Sequence, residues 1–226
     1  VCTDPACCNA WLSEEAAREK WGGDFDGWER RIEEAVAATD GQVALYDGQP
    51  IMAVFHSSSA GKTAGAGDVW SGDVPYLRSV DSPEGEETVP NYYSAAAFSA
   101  AEAKSLLAKA HPELTLSGGP DRWFGAVERD DSGRVRTVEV CGTALRGVEL
   151  RRIFALRSAC FTIDASADKV TFRVTGYGHG VGMSQYGANE LARQGKTWQE
   201  ILTWYYADVT VGPAPEAVQT PESVVN

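Results

Sequence analysis

The sequence predicts an α+β fold of mixed helices and antiparallel strands, with room for two lobes around a cleft. Three observations carry that prediction. The pairs Ser99/Glu102 and Thr197/Glu200 have capping-box spacing and open two helices. Arg134 to Val140 and Lys169 to Thr175 alternate with the period of strands. The 226 residues, 43% of them apolar, suffice for the core of one large domain or two small lobes.

The elements follow in order. Ser13 with Glu14 and Glu15 reads as a helix cap with acids in the first turn, and Trp28, Ile32, Ala35 and Val36 have helical spacing before Gly41 stops it. Val43 to Tyr46 and Ile51 to Phe55 are apolar runs on either side of Asp47-Gly48, a turn dipeptide, so they predict a hairpin that delivers His56. From Ser57 to Ser94 Gly, Ser, Asp and Pro dominate around a few aromatics, and a connector of that length predicts a functional or mobile loop. Ser99 opens a helix to about Ala110, and Gly147 to Leu156 reads as another. Cys160 to Asp164 and Lys169 to Thr175 are expected to pair around a Ser-Ala-Asp turn. Gln185 to Gln194 is helical until Gly195, and Thr197 opens a last helix through Ile201, Leu202 and Tyr205. One domain is expected over residues 1–212, with a second lobe at about 95–165, and a loose tail over 213–226.

Charge narrows the partners. With 20 Lys+Arg against 32 Asp+Glu the net charge is −12, and no basic cluster stands out, which argues against nucleic acid as a partner. No apolar run approaches the roughly 20 residues of a spanning helix. The chain starts at Val1 rather than Met, from which residues upstream are expected to be missing.

Three motifs carry chemistry. Cys2, Cys7 and Cys8 put three thiols within seven positions. Such density suits zinc, which takes four tetrahedral thiolate or imidazole ligands, so a fourth would come from elsewhere. Disulfides are the other reading, with Cys141 and Cys160 able to pair on neighbouring strands. The second motif runs from His56 through Ser57, Ser58 and Ser59 to Thr63. Its end is like a phosphate loop, but His56 stands where that loop requires glycine, so a nucleotide is excluded and a polar ligand is favoured over a plain Ser-rich turn. The third is Gly176-Tyr177-Gly178-His179-Gly180-Val181-Gly182-Met183-Ser184-Gln185-Tyr186. No three of its glycines have dinucleotide-fingerprint spacing. Alternate glycines predict a backbone that a substrate approaches closely, with Ser184, Gln185 and Tyr186 at a helix N-terminus beside it. A serine-hydrolase reading of Ser184 lacks the nucleophile elbow, because Tyr186 stands where the second glycine should be.

At these residues the sequence resembles the stage II sporulation protein D family, which includes amidase enhancers. The likeness is carried by His56 to Thr63, Trp70 to Asp81 with Val74-Pro75-Tyr76-Leu77, Leu156-Arg157-Ser158 and Gly178 to Ala188. The resemblance implies a peptidoglycan lytic transglycosylase acting during sporulation on glycan strands stripped of stem peptides, alongside a cell-wall amidase. It also implies an extracytoplasmic protein, membrane-anchored through an N-terminal segment. The implied reaction needs one carboxylic acid. It protonates the glycosidic oxygen, then as carboxylate takes the proton of the muramic 6-hydroxyl, which closes an anhydro ring on the anomeric carbon. The family's catalytic glutamate is expected upstream of Val1. The resemblance assigns His56, Ser57, Ser58, Tyr76, His179, Ser184, Gln185 and Tyr186 to sugar binding. Asp68, Asp73 and Asp81 substitute for the acid only if one is buried opposite these groups. The resemblance also implies zinc at the start of the chain: Cys2 and Cys8 match two cysteine ligands, and Cys7 stands where a histidine ligand would be. The alternative is a non-catalytic glycan-binding module that stimulates an amidase.

Overall fold

The computed structural model describes residues 11–70 and 72–215, which form two compact units divided between Val43 and Ala44. The cysteines Cys2, Cys7 and Cys8 lie outside the described residues.

The first unit is helical. Helix α1 (Glu14–Trp21) opens as expected, with the Ser13 hydroxyl accepting from the Ala16 amide, and Glu14 and Glu15 lie in its first turn. A 3-10 turn (Gly22–Asp24) leads into α2 (Phe25–Ala38). Phe25 is buried beneath the Arg18 guanidinium, 4.0 Å from the ring centroid.

In the second unit β1 (Gln42–Tyr46), which begins at the junction, pairs antiparallel with β2 (Gln49–Pro50). Asp47 (φ 49°) and Gly48 (φ 74°) both adopt the left-handed region, as a two-residue primed turn requires. The expected hairpin is shorter than its apolar pattern. The ladder ends at Pro50 with one further bond, from the Ile51 amide to the Ala44 carbonyl at 3.0 Å, and Met52 to Val54 follow without strand geometry. Strand β3 (Phe55–His56) instead pairs in parallel with β10 (Met183–Ser184). The long segment that follows carries only the short helix α3 (Ala66–Val69), in keeping with its loop composition.

Strand β4 (Tyr93–Ser99) was not legible in the sequence. Its alanines are weak strand formers, but all seven residues find partners along β9 (Lys169–Thr175), which also pairs with β8 (Phe161–Ala165). Helix α4 (Ala100–Ala110) opens with the predicted capping box at Ser99. A second antiparallel sheet joins β5 (Phe124–Arg129), β6 (Val135–Val140) and β7 (Thr143–Arg146), and α5 (Gly147–Ile153) follows it. Helices α6 (Gln185–Arg193) and α7 (Trp198–Tyr205) and strand β11 (Thr210–Pro213) complete the described residues, with β11 beside β1.

Two buried clusters hold this unit. Leu107, Trp123, Val138, Leu150, Phe154 and Phe172 centre one of them, beneath the two three-stranded antiparallel sheets β4-β9-β8 and β5-β6-β7. Leu77, Val181, Leu191, Ile201, Tyr205 and Tyr206 centre the other, and Val148 packs against both. A fully buried leucine such as Leu191 stabilises the fold by roughly 2–5 kcal/mol against truncation to alanine. Cys141 and Cys160 are free thiols, which rules out the pairing that the alternative disulfide reading allowed between them. The Cys160 thiol lies 3.5 Å from the Gly133 carbonyl, just before β6, whereas Cys141 follows β6. Six strand residues separate those ends by roughly 20 Å, and a disulfide needs Cα atoms within about 7 Å.

Candidate functional site

The site forms where the His56 to Ser59 segment meets the glycine-His segment. Beyond the β3 and β10 pair, Ser58 and Tyr177 exchange backbone hydrogen bonds at 3.0 and 2.9 Å, and the Ala64 amide donates to the Gly180 carbonyl at 2.8 Å. The glycines explain how the two segments come so close. A Cβ on Gly178 (φ 119°) would fall 2.7 Å from the His56 Cβ, and one on Gly182 (φ 70°) would strike the Val54 carbonyl oxygen. The close approach expected of a substrate is therefore made by the chain itself. The glycines admit the neighbouring strand, and the sugar-facing reading of the bare backbone is corrected accordingly.

Beneath the junction lies Glu84, 4% exposed, which the sequence reading missed. Its Oε1 accepts from the Ser59 amide (2.7 Å), the Ser59 hydroxyl (2.7 Å) and the Ser184 hydroxyl (2.5 Å). Its Oε2 meets no partner among the described residues and lies with Ser82 and Tyr205 around Gly187, where any side chain would collide with all three. Burial alone would raise the Glu84 pKa, but the hydrogen bonds from Ser184 and Ser59, with the Ser82 hydroxyl close by although it is bonded to Tyr205, outweigh it and hold the carboxyl below its ordinary value. Ser184 also caps α6, its Oγ accepting from the Gly187 amide at 3.2 Å. One ionised carboxylate thus ties the Ser57 loop to the start of α6.

The two histidines are neutral by construction. The Val181 amide donates to His179 Nδ1 at 3.1 Å, so Nε2 carries the proton and donates to the Phe55 carbonyl at 2.9 Å. In His56 the Nδ1 donates to the Val181 carbonyl at 3.2 Å, which leaves Nε2 a bare, buried lone pair without a partner among the described residues. Burial, reinforced by His179 at a ring separation of 5.6 Å, pushes the His56 pKa down to about 4. Burial also lowers that of His179, with Arg134 and Arg151 adding to it against the bond to Phe55. Arg134 itself is buried, donates to the Gly178 carbonyl at 3.4 Å and has its pKa lowered to about 10 by desolvation.

The structure gathers most of the sequence-predicted residues but divides their roles. His56, Ser58 and Ser184 are buried (4%, 2% and 0% exposed) and bond within the protein, so they hold the junction. Ser57 and Tyr186 are half-buried, with the Tyr186 amide bonded to the Ser57 carbonyl at 3.1 Å, and Gln185 is exposed beside them. His179 is half-buried, both its nitrogens are occupied, and its ring lies 5.5 Å from Trp70. Tyr76 stands apart: its hydroxyl accepts from the Met52 amide at 3.0 Å and its ring packs on Tyr46. None of Asp68, Asp73 and Asp81 is buried opposite the site. Asp68 pairs with Arg136, Asp81 with Lys62 at 3.8 Å, and Asp73 is exposed. Reasoning from sequence also passed over Tyr177, 48% exposed with the Arg157 guanidinium 4.5 Å from its ring centroid. No group of three metal-ligating side chains occurs among the described residues.

No family model matches the chain. It is 34% identical over 212 residues to stage II sporulation protein D of Bacillus subtilis, and 34% identical over 211 residues to that of Bacillus amyloliquefaciens, in each case over 93% of this chain. It is 25% identical over 249 aligned positions to an amidase enhancer of Bacillus subtilis, covering 88% of this chain and 35% of the relative. The chain spans 60% and 59% of the length of the two sporulation proteins. Over the residues they share, the chain is similar to stage II sporulation protein D and, more distantly, to an amidase enhancer.

Proposed function

We propose that this protein acts on the cell wall in sporulation, that the junction and the aromatic groups around it bind peptidoglycan glycan strands, and that the full-length protein is a lytic transglycosylase. The observation that carries the reading is the pairing of a rigid, buried polar junction with half-open aromatic faces. Trp70, His179 and Tyr177 offer ring faces to sugars, and Ser57, Gln185 and Tyr186 stand beside them with polar groups. The names of the sporulation-protein relatives support the sporulation part, and that of the amidase enhancer supports the cell-wall part.

A general acid for glycosidic cleavage must be protonated when substrate binds, which calls for a raised pKa. Glu84 is held in the opposite state by its hydroxyl donors, so its role is structural and the acid is a different carboxyl of the full-length protein. In that protein the acid protonates the leaving oxygen, and its carboxylate then removes the 6-hydroxyl proton as the anhydro ring closes. Incubating full-length protein with amidase-stripped glycan and identifying the products by mass tests this. Anhydro-muramic ends are expected. Reducing ends as the only new termini contradict the mechanism.

The ionised, structural state of Glu84 also supports a second reading, a strand-gripping module that stimulates a cell-wall amidase, as the name of one relative suggests for that relative. Amidase turnover that rises on addition of a protein giving no anhydro ends selects this second reading. We also propose zinc at Cys2, Cys7 and Cys8, whose thiolates suit that metal. Metal analysis of the unreduced protein is expected to find it near one equivalent, and a value near zero contradicts it. The proposed location is outside the cytoplasm, and no helix among the described residues is long and apolar enough to cross a membrane.

A further inference from the structure

The last turn of helix α5 carries Arg151 and Arg152, and the chain then turns sharply at Ala155, whose φ is 49°. The turn brings Leu156 back onto Arg151: the Leu156 amide donates to the Arg151 carbonyl at 2.8 Å, and Arg151 Nε donates to the Leu156 carbonyl at 3.3 Å. Arg157 follows, and its carbonyl accepts from the Gly178 amide at 2.9 Å, which fastens this turn to the glycine-His segment. Arg151, Arg152, Arg157 and Tyr177 line a cavity of about 590 Å³ there.

No acidic side chain lines that cavity. None of the three guanidiniums has a carboxylate within 4.0 Å among the described residues. On a chain of net charge −12 this is the reverse of what random surface placement gives. The carbonyl end of α5 accounts for a cation in its last turn, yet Arg157 lies beyond the helix. Arg157 is also held in place, over the Tyr177 ring, and its Nε is buried without a partner among the described residues. Arg151 is half-buried, with only Nε bonded internally, so its terminal nitrogens are free to take a ligand. Two forks fixed in this way beside an exposed aromatic face match a carboxylate carried on a sugar.

We propose that this cavity is the subsite for a free carboxylate on the glycan strand, the lactyl carboxylate of a muramic residue that has lost its stem peptide. The inference rests on the glycan-binding reading above and deepens it. While a stem peptide is attached, the lactyl carbonyl belongs to a neutral amide. Hydrolysis leaves a carboxylate, the one anionic group on an otherwise uncharged sugar backbone. The charge of Arg151, Arg152 and Arg157 then selects stripped strands, and Tyr177 receives the adjoining sugar ring.

The test titrates the full chain with stripped glycan, with the same glycan after its carboxylates are converted to amides, and with poly(glycerol phosphate). Amidation is expected to weaken binding about tenfold or more, by an amount that shrinks as salt is added. In a double Arg151→Gln, Arg157→Gln variant the preference for the free acid is expected to fall to about one. Equal affinity of the unaltered protein for free and amidated strands overturns the carboxylate subsite and leaves the glycan reading standing. No binding to either strand overturns the glycan reading itself. Tighter binding of poly(glycerol phosphate) than of stripped glycan overturns the proposal in favour of a phosphodiester. The comparison of free and amidated strands uses unaltered protein, so it decides the question even if the variant fails to fold.

Discussion

Glu84 shows why some functional chemistry escapes inspection of a sequence. It stands in a Pro-Glu-Gly run among other acids, and nothing local separates it from Glu86 or Glu87, both exposed. Only the fold brings Ser59 and Ser184, 25 and 100 positions away, onto the same oxygen. His56 was legible as a strand-end imidazole, but its burial was not. Together these groups set a pH dependence. The folded pKa of His56 is lower than its ordinary value of 6.5, so between 6.5 and about 4 the unfolded chain binds the extra proton, and stability falls as the solution is acidified. At 1.36 kcal/mol per pH unit the loss amounts to roughly 3 kcal/mol by pH 4. Glu84, whose folded pKa is also lowered, adds a further loss below about pH 4.5. Denaturant unfolding across this range is expected to show both, and Glu84→Gln to remove the lower part of the slope. A stability independent of pH between 6.5 and 4 contradicts the burial of a neutral His56.

The glycine-His segment is where pattern and structure diverge most instructively. The capped helices α1, α4 and α7 were readable because a cap is a local arrangement: its hydrogen bonds run between residues three apart, singly at Ser13 and as capping boxes at Ser99 and Thr197. The parallel contact of β3 with β10 joins residues more than 120 positions apart, and it carries no period of its own. Its only trace is the bare backbone, which the pattern offers to a substrate but which the chain segment from Val54 to Ser59 occupies. Gly182→Ala places a Cβ against the Val54 carbonyl at a φ of 70° and is expected to cost about 2 kcal/mol or more. Gly85→Ala, where a Cβ meets nothing within 4 Å, is expected to change stability by less than about 0.5 kcal/mol. Thermal unfolding of the two variants checks the contrast. Equal effects would mean that the junction yields without strain.

The assembled second unit joins a neutral, tightly bonded junction to a cationic, aromatic face on a strongly acidic chain. The α+β class was legible from caps and alternation, and the family resemblance from four short segments that the fold brings toward one another. The basic cluster was not, because Arg151 and Arg152 lie inside the expected helix and Arg157 beyond it, and only the turn at Ala155 brings the three together beside Tyr177. The central claim is that this face binds glycan. Titrating amidase-stripped glycan into the full chain and into a Tyr177→Ala variant with an unaltered unfolding transition tests it most directly. Saturable binding that weakens about tenfold in the variant is the predicted result, in line with loss of an aromatic sugar platform. Absence of binding, or equal affinity in the two proteins, would contradict it.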